Sequence, residues 1–139
     1  MAKKKEFGDR NKSLSDKLLD EKKYYDWVIT TAFYSSIHYV EDKILPAKIN
    51  AAECKCIAEV KKAYKMNGRH EARERLVYEK LGPLIGVRCK WLDDRSRNSR
   101  YETFKHQPAE ALKAQEYLNF IYNTIYPAAE NSISEELTE

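Results

Sequence analysis

The stretch Tyr24–Leu45, YYDWVITTAFYSSIHYVEDKIL, decides the fold. Between Trp27 and Val40 it carries no Asp, Glu, Lys or Arg. Wound at about 3.6 residues per turn, its apolar side chains cover most of the circumference instead of one stripe. A helix that is apolar nearly all round has neighbours on several sides. Its Thr, Ser, Tyr and His content and its length argue against a bilayer span, which takes about 20 mostly apolar residues. The stretch reads as the central helix of a soluble bundle, with no membrane as partner.

Working outward, Pro46 stops this helix. Ahead of it, Ser13 and Asp16 form a capping box, and Leu14 and Leu18 share a face, which predicts a helix from Ser13 to about Lys23. Residues 1–12, MAKKKEFGDRNK, read as a frayed basic extension; they have no apolar run behind the charges and so no secretory signal. Residues 47–67 are rich in Ala, Lys and Glu, with Ile57, Val60 and Tyr64 at helical spacing and Asn67-Gly68 as a stop. They read as a helix or a partly ordered excursion. Arg69–Leu81 is a short amphipathic helix ended by Gly82-Pro83, and Leu84 to about Asn98 is the next, with Leu84, Val87, Trp91 and Leu92 inward. Residues 105–107 form a turn. Pro108 opens a last long helix through Ala111, Leu112, Leu118, Ile121 and Ile125, closed by Pro127. The expected fold is all-α, an antiparallel bundle of five or six helices in one domain over residues 13–126, followed by an acidic, disordered tail over 127–139.

With 139 residues, the chain is long enough for one core without staples. Its three cysteines, Cys54, Cys56 and Cys89, form no even framework and are expected reduced, in a cytoplasmic protein. Cys54 and Cys56 point to different sides of a helix, and no second Cys/His pair stands at zinc-finger spacing, so no metal or other cofactor is expected. There is no Gly-rich phosphate loop, G-x-S-x-G elbow or H-E-x-x-H motif. Acids are absent from the apolar middle of the central helix, which disfavours a paired-carboxylate hydrolase.

Charge is distributed more tellingly than the net +3 implies. Glu130, Glu135, Glu136 and Glu139 fall in the last ten residues, where no Lys or Arg stands, so the body is more basic than the whole. Arg69, Arg73, Arg75, Arg88, Arg95, Arg97 and Arg100 crowd one third of the chain; Arg10 stands alone. Arginine offers a planar, bidentate fork suited to phosphate. An anion-binding surface and a set of solvated, locally paired helix faces fit this pattern equally well, since Glu71, Glu74, Glu79, Asp93 and Asp94 are interspersed.

The strongest candidate site lies in Asp93–His106, DDRSRNSRYETFKH. On a helix, Arg97, Arg100 and Tyr101 stand at i, i+3 and i+4 and share a face. Two guanidinium forks and a phenol can hold a phosphate and stack a base. Asp93, one turn before Arg97, can equally pair with it. Only three histidines occur. His38, in the uncharged middle of the central helix, reads first as a buried ring held by a hydrogen bond. His70 either caps its helix or aims with Arg73 at the arginine face. His106 reads as a loop residue.

Asp26-Trp27, Ala32-Phe33-Tyr34 and His38-Tyr39-Val40 together resemble the central helix of small bacterial and archaeal HEPN-domain proteins. His70-x-x-Arg73, the Leu92 region and Ser96-Arg97-Asn98-Ser99-Arg100-Tyr101 resemble the later blocks of that group in the same order, over about Asn11–Tyr126. The resemblance implies an antiparallel helical bundle that dimerises, bringing two arginine-bearing helices into a shared cleft. Many members of the superfamily are metal-independent endoribonucleases with an Arg-x(4–6)-His motif, often in toxin–antitoxin or defence systems. There the arginine stabilises developing charge and the histidine moves a proton. Arg100 and His106 have that spacing, with Tyr101 where a polar residue commonly follows; Arg97-Asn98 has the favoured beginning but stands too far from His106. The resemblance thus implies RNA or a nucleotide-like anion as ligand, a homodimer and an antitoxin as partners. The candidate catalytic residues are Arg97, Arg100, His106 and His38, and the candidate RNA-binding residues are Arg73, His70, Arg95, Asn98 and Tyr101. The alternative is a non-catalytic dimerisation or interaction module whose arginines and histidines are structural.

The tail has the charge to fold back on the basic body. With that contact, deleting residues 130–139 raises the affinity for a polyanion in a fluorescence-anisotropy titration; unchanged affinity excludes the contact.

Overall fold

A computed structural model describes residues 2–102 and 105–127; the acidic tail lies outside the described residues. Six helices and one short hairpin follow in order: α1 (Ala2–Asp20), α2 (Tyr25–Ile44), β1 (Ala47–Ile49), β2 (Ala52–Cys54), α3 (Ile57–Tyr64), α4 (Arg69–Leu81), α5 (Pro83–Tyr101) and α6 (Pro108–Ile125). The architecture is a mostly helical bundle with a small sheet. None of the described helices is long and apolar enough to cross a membrane.

As its pattern requires, α2 is enclosed: only Trp27, Tyr34 and Lys43 within it are exposed. Cross-helix contacts set the directions. Ser15 Oγ donates to the Val28 carbonyl at 2.9 Å, Ser35 Oγ to the Gly8 carbonyl at 2.7 Å, and Lys4 pairs with Glu41 at 3.1 Å, so α1 and α2 run antiparallel. On the other side, Tyr39 meets Tyr122 edge-on at 5.0 Å and Tyr126 donates to Asp42 at 2.6 Å, so α6 runs parallel to α2. Trp91 meets Tyr117 edge-on, and the Arg88 guanidinium lies 4.0 Å from the Phe120 ring, which places α5 antiparallel to α6. The four long helices therefore form an up-and-down bundle with unequal diagonals. α2 and α6 pack closely across the centre, whereas α1 and α5 flank α2 without substantial contact with each other.

Three expectations are corrected. Leu84 and Val87, read as inward, are 62% and 50% exposed, and of that set Leu92 is buried and Trp91 half-buried. The first helix begins at Ala2 instead of Ser13, because residues 2–12 pack. Gly8 is buried against the ring of Tyr39, Asp9 accepts a hydrogen bond from the Tyr39 hydroxyl, and Lys5 lies 5.2 Å from the Tyr126 ring centre. The charged residues form the outer face of a helix whose inner face is Gly8 and Ser15. Residues 47–67 are not one helix. Ala47 pairs with Cys54 and Ile49 with Ala52 around a two-residue turn in which Asn50 and Ala51 have φ of 51° and 69°. Such left-handed pairs match the twist of a hairpin. Ala47, Ile49 and Cys54 face the core while Lys48 and Glu53 face out. Only Ile57–Tyr64 is helical, ended by Lys65 in the left-handed region.

Gly8 leaves no room for a side chain. A Cβ there would stand 2.5–3.0 Å from three atoms of the Tyr39 ring, which is fully buried and held through its hydroxyl. Gly8→Ala is expected to cost about 1–3 kcal/mol through overpacking. Gly86→Ala meets the Tyr78 ring at a similarly short 2.7 Å, but Tyr78 is 39% exposed and can swing aside, so it costs less. Urea melts of both variants check the order; equal costs refute the account.

Candidate functional site

Helices α2, α4 and α5 converge on a line of charged and aromatic side chains. Its anchor is Asp93, 4% exposed on the inner side of α5. One turn on, Arg97 grips it with a two-pronged contact, Nε to Oδ1 at 3.0 Å and Nη2 to Oδ2 at 3.2 Å. A buried carboxylate needs such compensation. Arg97 itself is half-exposed, and among the described residues its Nη1 makes no hydrogen bond. From α4, His70 brings Nδ1 to 3.6 Å from Asp93 Oδ2 and 3.4 Å from Arg73 Nη1, and stacks on Phe33 of α2. Arg73 donates to Glu41 at 2.8 Å, and Lys4 from α1 closes the far end of the line on the same carboxylate. Arg100 donates to Ser96 Oγ, its guanidinium 5.9 Å from the Phe33 ring centre and 5.8 Å from that of Tyr34. Lys4, Arg73 and Arg97 thus face Glu41, Asp93 and Glu74 along the line, and Arg97 and Arg100 stand at its α5 end. The cleft beneath His70 holds only about 20 Å³, room for a water and not for a base. Any larger ligand lies on the surface.

The structure brings Arg97, Arg100, Arg73 and His70 to one side of the bundle. His38 lies beside them, half-buried, its ring 5.4 Å from that of Phe7; among the described residues it makes no hydrogen bond, so an aromatic cover takes the place of the expected one. Arg95 and His106 are elsewhere. The His106 side chain is 2% exposed, not a surface loop group: Ser99 Oγ stands 2.8 Å from Nε2 and Glu110 Oε1 3.3 Å from Nδ1. Glu110 also pairs with Arg95 at 3.5 Å and accepts the Gln107 N–H. Ser99 and Arg100 are neighbours on α5, so their side chains diverge by about 100°. Arg100 turns to α2 and His106 to α6, and the spaced motif does not close into one site. Asn98 donates to Glu102 on the exposed side, and the Tyr101 side chain lies outside the described residues. Glu41, Phe33 and Tyr34 are additions to the sequence reading. The Asp93–Arg97 spacing was a local signal, whereas Glu41–Arg73 and His70–Phe33 join distant segments and had none.

Electrostatics favour neutral histidines. Burial pushes His70 below its usual range, Asp93 opposes, and Arg73 and Arg97 push it further down. With Arg73 donating to Nδ1, the ring proton sits on Nε2. Burial likewise lowers His38; Glu41 opposes, and Lys4 and Arg73 add to the fall. The Cys89 thiol, under the same face, is pushed up to about 12 by burial and stays protonated. Among the described residues, no group of three or more His, Cys, Asp or Glu side chains is arranged to hold a metal ion. Compared with known protein families, curated proteins and solved structures, the chain matches none.

Two histidines that stay neutral in the fold make stability depend on pH. Their contribution is complete above the ordinary value of 6.5 and is lost as pH falls below it toward the lowered folded-state values, because the unfolded chain takes up protons first. Glu79 and Glu110, held below the usual 4.5, titrate in a separate, more acidic window. Urea melts between neutral pH and about pH 5 should show stability declining, and His38→Gln with His70→Gln should flatten the decline. An unchanged slope in the double variant would refute it.

Proposed function

We propose that the chain is a HEPN-like, RNA-binding helical domain whose phosphate seat is formed by Arg97 and Arg100 on α5, with His70 and Arg73 of α4 beside them. The observation that carries this reading is the half-exposed Arg97: its grip on Asp93 fixes the guanidinium plane while Nη1 remains for a ligand. A fork fixed by one carboxylate loses little entropy on meeting a phosphate. Support also comes from the two guanidinium groups at this end of the line, and from the aromatic rings of Phe33 and Tyr34 beside Arg100. For metal-independent cleavage, His70 is the histidine with an exposed ring next to both arginines; His106 has both nitrogens engaged. The cytoplasmic, toxin–antitoxin and homodimer parts of the reading rest on the family resemblance.

A second reading, a non-catalytic interaction module, is favoured by the pairing itself. Glu41, Asp93 and Glu110 already hold Arg73, Arg97 and Arg95, as a network that only stiffens the bundle would.

The two readings part in a binding titration. Arg97→Ala/Arg100→Ala should weaken RNA binding by about tenfold or more and lower the slope of log K against log salt by roughly 1.4, the loss of two single-strand phosphate contacts. Removing Arg97 strands the buried Asp93, so Asp93→Asn is added to keep the fold; unpaired buried charge costs about 3–5 kcal/mol when fully enclosed. Unchanged affinity and slope leave the interaction module. Incubation with total cellular RNA and a chelator tests cleavage: discrete fragments that vanish with His70→Ala, and persist with His106→Ala, place proton transfer at His70.

A further inference from the structure

The phosphate seat borders a surface that the arginines alone do not explain. Along α2, Trp27 and Tyr34 are 53% and 41% exposed in a helix otherwise enclosed. Seven residues apart, they stand on one face about 10 Å from each other along the axis. Thr31, between them, is buried, its hydroxyl turned back to the Trp27 carbonyl. The strip is the exposed part of α2. α1 flanks it with exposed Phe7 and Leu14, and α5 with Arg97 and Arg100, the latter guanidinium 5.8 Å from the Tyr34 ring centre. Large rings left in water cost free energy unless something covers them.

We propose that Trp27 and Tyr34 are a two-position platform on which unpaired RNA bases stack, while Arg97 and Arg100 hold the adjoining phosphates. The proposal rests on the phosphate-seat reading and adds to it the base-contacting residues and the strand state. The ligand is single-stranded, because in a duplex the faces of the bases are consumed by their own stack, whereas a splayed strand offers them to aromatic side chains. A guanidinium beside an exposed ring, Arg100 at Tyr34, fits that ligand. Opposite charge draws a phosphate to Arg97 and Arg100 beside the strip.

Trp27 and Trp91 are the chain's two tryptophans, so Trp91→Phe leaves Trp27 as a single optical reporter at the platform. In that background, titration with a short single-stranded RNA of mixed sequence should quench the Trp27 emission, and the same RNA annealed to its complement should not. Trp27→Ala/Tyr34→Ala should weaken single-strand binding by about tenfold or more, with duplex binding changed less than about twofold. The fold should survive with a modest fall in melting point, because each ring is about half in water. Emission that stays unquenched at saturating single strand overturns the platform, as does an equal loss for both RNA forms. Light scattering that shows Trp27→Ala converting a dimer to a monomer assigns the strip to a second copy and also overturns it. Failure of the parent reading is distinct: there the unaltered chain binds no RNA. RNA binding that is lost with Arg97 and Arg100 but indifferent to Trp27 and Tyr34 overturns the platform alone.

Discussion

Everything in the bundle hangs on how Tyr39 is buried. Its ring lies with no exposure at the point where α1, α2 and α6 meet, under the bare Cα of Gly8 and edge-on to Tyr122 and Tyr126. The Ser35 hydroxyl stands within hydrogen-bond reach of its hydroxyl, which donates to the carboxylate of Asp9. That single hydrogen bond sets the register of α1, because a shift of one residue would swing Asp9 away and put a side chain where Gly8 must be. Burial and the Asp9 charge both hold the phenol proton on, so the bond persists across ordinary pH. The serine contacts to the Gly8 and Val28 carbonyls then follow from the same close approach.

The second constraint is electrostatic. Burying Asp93 inside α5 demands a counter-charge, and Arg97, one turn away, supplies it while remaining half in solvent. Glu41 plays the same part for Arg73 and Lys4. These carboxylates act as brackets: each spends part of a cation to fix its orientation and leaves the rest facing outward. Burial disfavours the charged form of His38 and His70 and the neighbouring cations add to it, so the line has two rings that remain neutral next to fixed positive charge. A neutral imidazole beside an oriented guanidinium suits both anion recognition and proton transfer, and the fold supplies it with no ligand present.

What was legible in the sequence was governed by local chemistry. α2 stood out because no charge interrupts it, and the ends at Pro46, Gly82-Pro83 and Pro108 follow from what Pro and Gly do to a backbone. The Asp93–Arg97 pair follows from helical spacing. What was not legible depended on partners far along the chain. Residues 2–12 look frayed because their inner face is Gly8, which is apolar only in the sense of being absent. The hairpin at 47–54 hides because Asn-Ala replaces the usual Asn-Gly at its turn and its strands are three residues long. The histidine of the spaced Arg–His pattern is drawn to α6 by Glu110, which lies beyond the motif. The outward rings of α2 could not be picked from the sequence at all, since every side of that helix is apolar.

The unequal diagonals carry a mechanical consequence. α2 and α6 touch directly, so their separation is fixed by one layer of interlocked side chains, which protein interiors hold with little give. α1 and α5 have no substantial contact of their own and are related through α2 and, less extensively, α6, so the distance between them is set by helix contacts in series and inherits the tolerance of each. The bundle is therefore stiff along one diagonal and compliant along the other. The exposed Trp27 and Tyr34 stand on α2, between α1 and α5, so their two flanks can part or close by small adjustments at either contact while the core stays locked.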